Sequence, residues 1–402
     1  MVKDWPLVPI GQLLEFKNGL NKGKAFFGHG TPIVNYTDVY RHSGLHASDV
    51  NGKVSLTEDE IKRFEVRKND VFFTRTSETP EEVGFSAVML DDIDDCVFSG
   101  FILRGRPKNA LLYPAYCKYC FATKAVREQI IRNCTYTTRA LTNGRVLSAI
   151  EIPVPSIEEQ QAIAYTLTSM EQYIFDLADL IEKKKAIREG AVTDLMTGKT
   201  RLSGFAAPWE SDTLGNLGTF TKGAPLSKAD ITETGTPYIL YGELYTTYHE
   251  VTYTVNRHTK KDAPEECISR IGDVIIPTSG ETAEEIATSC CVMVPGVILA
   301  GDLNIYRAPD MDGRFVSLVI NHVINRKIAE VAQGISIIHI NAKVLSNMII
   351  NYPSRDEQAA IADTIDDMDA EIASIEAERE KMIQIREGAM NDLLTGRVRL
   401  SL

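Results

Sequence analysis

Residues 155–164 read PSIEEQQAIA, and residues 353–362 read PSRDEQAAIA. The same two segments close alike, with IREGAVTDLMTGKTRLS from Ile187 and IREGAMNDLLTGRVRLS from Ile385, at the same offset of 198 residues. Aligned without a gap over 155–203, 24 of 49 positions are identical. Self-similarity at one fixed offset means a unit that is built twice. A looser match precedes each copy. Trp5, Gly11, Leu13, Phe16 and Gly19 return as Trp209, Gly215, Leu217, Phe220 and Gly223; Asp70-Val71 returns as Asp273-Val274; Val146-Leu147-Ser148 returns as Val344-Leu345-Ser346. The offset drifts there between 198 and 205, as loops of unequal length require. The layout is globular unit, repeated segment, globular unit, repeated segment.

Each repeated segment opens as a helix. Ser156 with Glu159, and Ser354 with Glu357, have capping-box spacing. Ile163, Leu167, Met170, Ile174, Leu177 and Ile181 then recur at steps of four and three, and Ile361, Ile365, Met368, Ile372 and Ile375 repeat the rhythm. That narrow seam is the pattern of a coiled coil rather than of a helix lying on a broad core. Gly198 and Gly396 supply left-handed C-terminal caps. Some 40 residues at about 1.5 Å each give a rod of roughly 60 Å, too thin to bury its own seam. Two such rods in one chain pair most simply with each other, antiparallel, about a pseudo-two-fold axis. The alternative is two helices each packed within its own domain.

The globular units read as mixed α/β with short strands. Residues 70–74 and 273–277 are apolar runs suited to buried strands, each after a turn at Asn69 or Gly272. Residues 114–133 and 314–333 have helical spacing, and the polar stretches TYTTRALTNGR and GISIIHINAK follow.

Composition narrows the function. Hydrophobic content of 44% and charged content of 24% belong to a soluble globular protein. No apolar run reaches the roughly 18 residues that span a bilayer, and the N-terminus lacks the apolar centre of a secretory signal, so a cytoplasmic location is expected. The net charge of -12 runs against nucleic-acid binding. Its distribution matters more: 155–204 carries eight acids and six bases, 353–402 carries twelve and six, and the other 302 residues hold only -4. The seven cysteines form no disulfide pattern, and Cys117-Lys-Tyr-Cys120 lacks a second ligand pair at zinc spacing, so buried thiols are expected and no metal. Gly198-Lys199-Thr200 is not a phosphate loop, because Thr193 stands where its first glycine belongs. The metal-hydrolase H-E-x-x-H, the G-x-S-x-G elbow, the dinucleotide G-x-G-x-x-G and N-P-P-Y/F are all absent.

A tandem of variable unit and P-S-x-x-E-Q-x-A-I-A helix, repeated once and ending in L-x-T-G-[KR]-x-R-L, resembles the specificity subunit of Type I restriction-modification systems. The resemblance covers essentially the whole chain. It implies an α+β architecture: two α/β target-recognition domains, 1–154 and 205–352, separated by two long antiparallel coiled-coil spacer helices, 155–204 and 353–402. It further implies that each domain reads one half of a bipartite, asymmetric site in double-stranded DNA. The helices set the spacer and dock two methyltransferase (M) subunits, and restriction (R) subunits with an ATP-driven motor join them. S-adenosylmethionine and ATP belong to those partners, so the chain itself is expected to need no cofactor and to catalyse nothing.

Phosphates call for Lys and Arg, base edges for Arg, Lys, Asn, Gln, Ser and Thr. The first unit offers Lys22, Lys24, Thr74, Arg75, Thr76, Ser77, Arg139, Asn143 and Arg145 on expected loops; the second offers Lys222, Lys228, Thr278, Ser279, His339, Asn341 and Lys343. Lys183-Lys184-Lys185 reads as a solvated helix face. Two rival readings remain at this level, a stand-alone nuclease or methyltransferase and a coiled-coil adaptor that never touches DNA.

Overall fold

In a computed structural model, which describes residues 5–332 and 338–400, the chain forms two compact units. One takes the residues up to Ala178 together with those from Ala377 onward; the other is Asp179–Glu376. The two long helices, Ile157–Met196 and Arg355–Thr395, therefore each contribute to both units.

The first unit is organised by a five-stranded sheet in the order Leu14–Asn18, Ile102–Pro107, Val71–Thr74, Ser86–Met89, Gly44–Leu45, antiparallel except for the last pair. Both faces are covered. Val71, Phe73, Val88 and Leu103 enter the main core, while Phe72, Ala87, Met89 and Ile102 enter a second one. Such two-sided burial is why 70–74 reads as a continuous apolar run rather than an alternation. Leu7–Pro9 pairs with Glu151–Pro153, tying the start of the domain to its end.

The main core is finished by both long helices. Ile163, Ala164 and Leu167 come from the first turns of one, Leu393 and Leu394 from the last turns of the other. Gln160, fully buried, splints the junction: its Oε1 accepts from the Tyr113 amide at 2.7 Å, and its Nε2 donates to the Leu111 carbonyl at 2.8 Å. Within this unit the helices run antiparallel, for Glu171 meets Arg386 at 2.6 Å and Tyr173 meets Glu378.

The second unit repeats this plan. Its sheet runs Thr219–Lys222, Leu303–Arg307, Asp273–Pro277, Cys290–Val292, Val251–Thr252, again with only the last pair parallel. Its main core takes Ile361 and Ile365 from the start of the second helix and Val192, Leu195 and Met196 from the end of the first. Gln358 repeats the splint, accepting from the Asp312 amide at 3.0 Å. Arg188 forks onto Asp369 at 2.6 and 2.8 Å, and Lys184 reaches Glu371 at 2.7 Å, so the pairing is antiparallel here too. Asp369 and Arg188 are the counterparts, 198 residues apart, of Glu171 and Arg386.

The expected seam is apolar and at least half-buried throughout, but it is not uniform. Ile163, Leu167, Leu177, Ile181, Ile361, Ile365 and Ile372 are buried; Met170, Ile174, Met368 and Ile375 are half-buried. The first two seam residues of each helix serve a globular core, so both packing modes weighed from the sequence occur, at different places along each rod. Gly198 and Gly396 adopt φ of +69° and +71°, as left-handed caps do. In the first helix Ser156 and Glu159 close the capping box at 3.2 and 3.3 Å. In the second, Glu357 is instead gripped by Arg201 at 2.5 and 2.6 Å.

Two predicted helices are shorter than their spacing suggested. In 114–133 a 3-10 turn, Pro114–Lys118, precedes an α-helix, Lys124–Asn133. Tyr116, Cys117, Tyr119, Cys120 and Phe121 are all buried, which leaves no solvated face for a helix to present. In 314–333 the helix is interrupted by a π-turn at Ile320–Ile324; residues 333–337, including part of GISIIHINAK, lie outside the described residues. The lysine triplet is likewise not simply solvated, since Lys184 and Lys185 pair with Glu371 and Glu376.

Because Leu394 completes the core of the first unit, Leu394→Ala is expected to destabilise that unit by about 2–5 kcal/mol, although it lies in the last helix of the chain. Leu180→Ala, at a site 39% exposed, is expected to change stability by less than about 0.5 kcal/mol. Urea unfolding checks both: the fluorescence of Trp5, with Trp209 replaced by Phe, reports the first unit and Leu394→Ala, and that of Trp209, with Trp5 replaced by Phe, reports the second unit and Leu180→Ala.

Candidate nucleic-acid interface

Each unit carries a groove at the same place on its sheet. In the first, about 460 Å³ are lined by Arg75, Asn143 and Arg145 together with Lys17, Asn18 and Lys108. In the second, about 1010 Å³ are lined by Lys222, Lys228, Thr278, His339 and Asn341. The repeat aligns Asn18 with Lys222, Arg75 with Thr278, and Asn143 with Asn341. The scaffold is shared, and apart from that asparagine pair the aligned lining residues differ.

Local structure explains how these side chains arrive there. Asn143 and Asn341 cap the short helices Gly144–Ser148 and Ala342–Ser346, their Oδ1 atoms accepting from Val146 and Val344 at 3.1 and 3.0 Å. Those caps leave Arg145 and Lys343 exposed in the first turns. The backbone of Arg75 is held between Phe101 and Thr142, that of Thr278 between Asp302 and Ile340. Each groove thus has a rigid rim and cationic or amide side chains upon it.

Other candidates lie elsewhere. Lys22 is paired with Glu60 at 2.8 Å and covers the Phe26 ring, and Lys24 opens an exposed 3-10 turn; neither lines the groove. Arg139 is exposed at the turn between two short strands, and Thr76 is half-buried in the strand that pairs with one of them. Three expectations are corrected. Thr74 is fully buried in a strand, its hydroxyl donating to the Glu82 carbonyl and accepting from the Phe85 amide. Ser77 is buried and donates to Glu82 at 2.7 Å; Ser279 is buried and donates to Asp302 at 3.1 Å. These hydroxyls shape the turns beneath the grooves and are spent there.

The sequence reading missed Lys17 and Lys108, whose signal was only that they flank strand ends. Burial and the neighbouring Arg104, Arg63 and Arg106 push the Lys17 ammonium below its ordinary value, but it donates to the Arg63 carbonyl over the Phe64 ring, so only the stem of Lys17 lines the groove, whose positive charge comes from Arg75 and Arg145. Local cationic character therefore coexists with a net charge of -12. Glu15 also lines this groove, so the field there is mixed.

Cys117 and Cys120 are buried with free thiols, and burial raises that of Cys120 well above its usual range. Among the described residues no group of three or more His, Cys, Asp or Glu is placed to hold a metal ion, and no helix is long and apolar enough to cross a membrane.

Comparison with known proteins agrees with this architecture. The family model for the Type I restriction modification DNA specificity domain matches twice, over residues 2–187 and 207–384. A putative type I restriction enzyme MjaX specificity subunit of Methanocaldococcus jannaschii is 23% identical, over 99% of this chain and 94% of its own length. Two solved structures share the fold. The S subunit of a Type I restriction-modification system from M. genitalium has a TM-score of 0.56 at 17% identity, covering 97% of this chain and 96% of that one. The HsdS subunit from Thermoanaerobacter tengcongensis has a TM-score of 0.56 at 15% identity, covering 98% and 97%. With two specificity domains matched over most of its length, on two copies of one sheet, the chain belongs to the family of Type I restriction-modification DNA specificity subunits.

Proposed function

We propose that the chain is the non-catalytic DNA reader of its complex, with each globular unit recognising one half of a bipartite, asymmetric site in double-stranded DNA. On this reading residues 1–154 and 205–352 are the two target-recognition domains, and 155–204 and 353–402 are the spacer helices with their tails. The observation that carries it is the pair of equivalently placed grooves with different linings on sheets of identical strand order. Two half-sites of different sequence call for one scaffold with two chemistries.

Arg75, Asn143 and Arg145 are the first-domain contacts best supported by position; the Lys17 and Lys108 ammoniums donate to the Arg63 and Gly11 carbonyls. Lys222, Lys228, Thr278, His339, Asn341 and the adjacent Lys343 are those of the second. Exposed Lys and Arg meet phosphates, while Asn, Thr and His offer groups for base edges. The antiparallel helices fix the spacer between the halves and dock two methyltransferase subunits. Restriction subunits with their ATP-driven motor join that core, so S-adenosylmethionine and ATP act on the partners, in the cytoplasm where the DNA lies. A coiled-coil adaptor without DNA contact is the reading to be excluded.

Replacing 205–352 with the matching segment of another family member, then sequencing the methylome of a host carrying the whole system, decides between them. A split motif with one half changed and the other kept is expected; an unchanged motif would overturn the proposal. Within the assembled complex, Arg145→Ala is expected to make the slope of log affinity against log salt shallower by about one, the contribution of one phosphate contact. Because Arg145 is exposed, its melting temperature is expected to stay put. An unaltered slope removes Arg145 from the phosphate contacts.

A further inference from the structure

The two sheets coincide strand for strand, so a residue difference on the side facing the groove is a comparison at fixed geometry. In the first unit Leu103 stands opposite Asn18 and Phe73. In the second, Asn304 stands opposite Lys222 and Ile276. Three residues further along each strand, Arg106 forks onto Asp70 and Arg307 onto Asp273, which fixes the register. Leu103 and Asn304 thus occupy one position. Each lines its own groove, and the second groove has about 1010 Å³ against about 460 Å³ for the first.

The amide is out of keeping with its surroundings. Asn304 is 1% exposed, and its Nδ2 has no hydrogen-bond partner among the described residues. It shares its face of the sheet with Ile276 and Tyr306, both members of the apolar main core, just as Leu103 shares its face with Phe73. Buried amide groups are nearly always paired, and an unmet donor is a standing cost that leucine at this position would not incur.

Resting on the reading of this unit as a target-recognition domain, we propose that Asn304 is a specificity-determining residue of the second domain, its unmet Nδ2 donor left for the edge of an adenine entering the groove. A carboxamide presents a donor and an acceptor side by side. Adenine alone answers both in the major groove: N7 accepts from Nδ2, and the exocyclic N6–H donates to Oδ1. Guanine offers two acceptors on that edge, and each pyrimidine only one polar group. The first domain, with Leu103 in this register, has no such reader at the equivalent position.

Asn304→Leu, which installs the residue the first unit carries, tests this in the complete restriction-modification system with methylome sequencing and thermal melting as readouts. The expected result is an unchanged first half, one adenine in the second half relaxed by roughly tenfold or more, and a melting temperature no lower than that of the parent. A second half read as stringently as before overturns the assignment of Asn304 while leaving the two-headed reading intact. A lowered melting temperature with modification weakened equally at all sites assigns Asn304 a structural role and also overturns it. If the parent chain itself directs no split motif, the underlying reading fails, and this inference with it.

Discussion

Leu393 and Leu394, at the end of the second long helix, pack in the same core as Ile163 and Leu167, at the start of the first. Leu195 and Met196 meet Ile361 and Ile365 in the other unit in the same way. This crossing is the constraint on which the rest of the structure depends. Each buried aliphatic side chain contributes about 1.5–3 kcal/mol, so the two helix ends together add several kcal/mol to each core. Between the ends the seam is mixed, with Leu177, Ile181 and Ile372 buried and Met170, Ile174, Met368 and Ile375 half-buried. It follows from the crossing that neither core is a contiguous stretch of chain, and that the last helix is as much a part of the first unit as residue 10 is.

The tails lock that arrangement with a second device, built twice. Arg399 lies over the Trp5 ring at 5.6 Å and bonds Glu159; Arg201 lies over Trp209 at 5.8 Å and bonds Glu357. The left-handed caps at Gly396 and Gly198 turn the chain so that these arginines arrive, and a Cβ at either glycine would press on the tryptophan at 3.3 or 3.4 Å. Further along the helices the acids are also engaged. Burial opposes the charge of Glu171, yet hydrogen bonds from Arg386 and Lys118 hold its carboxyl below the usual range. Many of the acids concentrated in 155–204 and 353–402 are thus ion-paired along the helices, while the segments keep their net negative charge. The groove cations Arg75, Arg145, Lys222 and Lys228 form none of the salt bridges found among the described residues.

Periodicity and repetition were legible because they are properties of position alone. The helices, their glycine caps and the strands at 71–74 and 273–277 could be read directly from spacing. What could not be read was how each polar side chain is spent. In the run Thr74-Arg75-Thr76-Ser77, two hydroxyls are buried in internal hydrogen bonds and only Arg75 reaches the groove. Nothing in the run itself distinguishes them, since the distinction is made by Glu82 and Phe85 folding back across it. Lys17 and Lys108 were passed over for the converse reason: they lie far apart in sequence, and only the strand pairing of Leu14–Asn18 with Ile102–Pro107 brings them to one groove. The glutamines Gln160 and Gln358 were visible as repeated letters, but their role as buried splints required the loops they hold.

The duplication supplies a control that a single domain lacks. Positions that agree between the copies turn out to be those where geometry admits little choice. At Gly11 and Gly215 a Cβ would strike the Cβ of Ser148 or Ser346 at 2.7 or 2.9 Å, and those serines are themselves a matched pair. Asp70 and Asp273 each receive a forked arginine, and Glu159 and Glu357 each receive a tail arginine. Positions that disagree, such as Asn18 against Lys222 and Arg75 against Thr278, line the grooves. If the grooves were merely gaps between packed elements, their linings would differ no more than any other surface and would not collect cations and amides. Agreement in what supports the groove, joined to difference in what faces it, is the division of labour that separates a scaffold from the chemistry it carries.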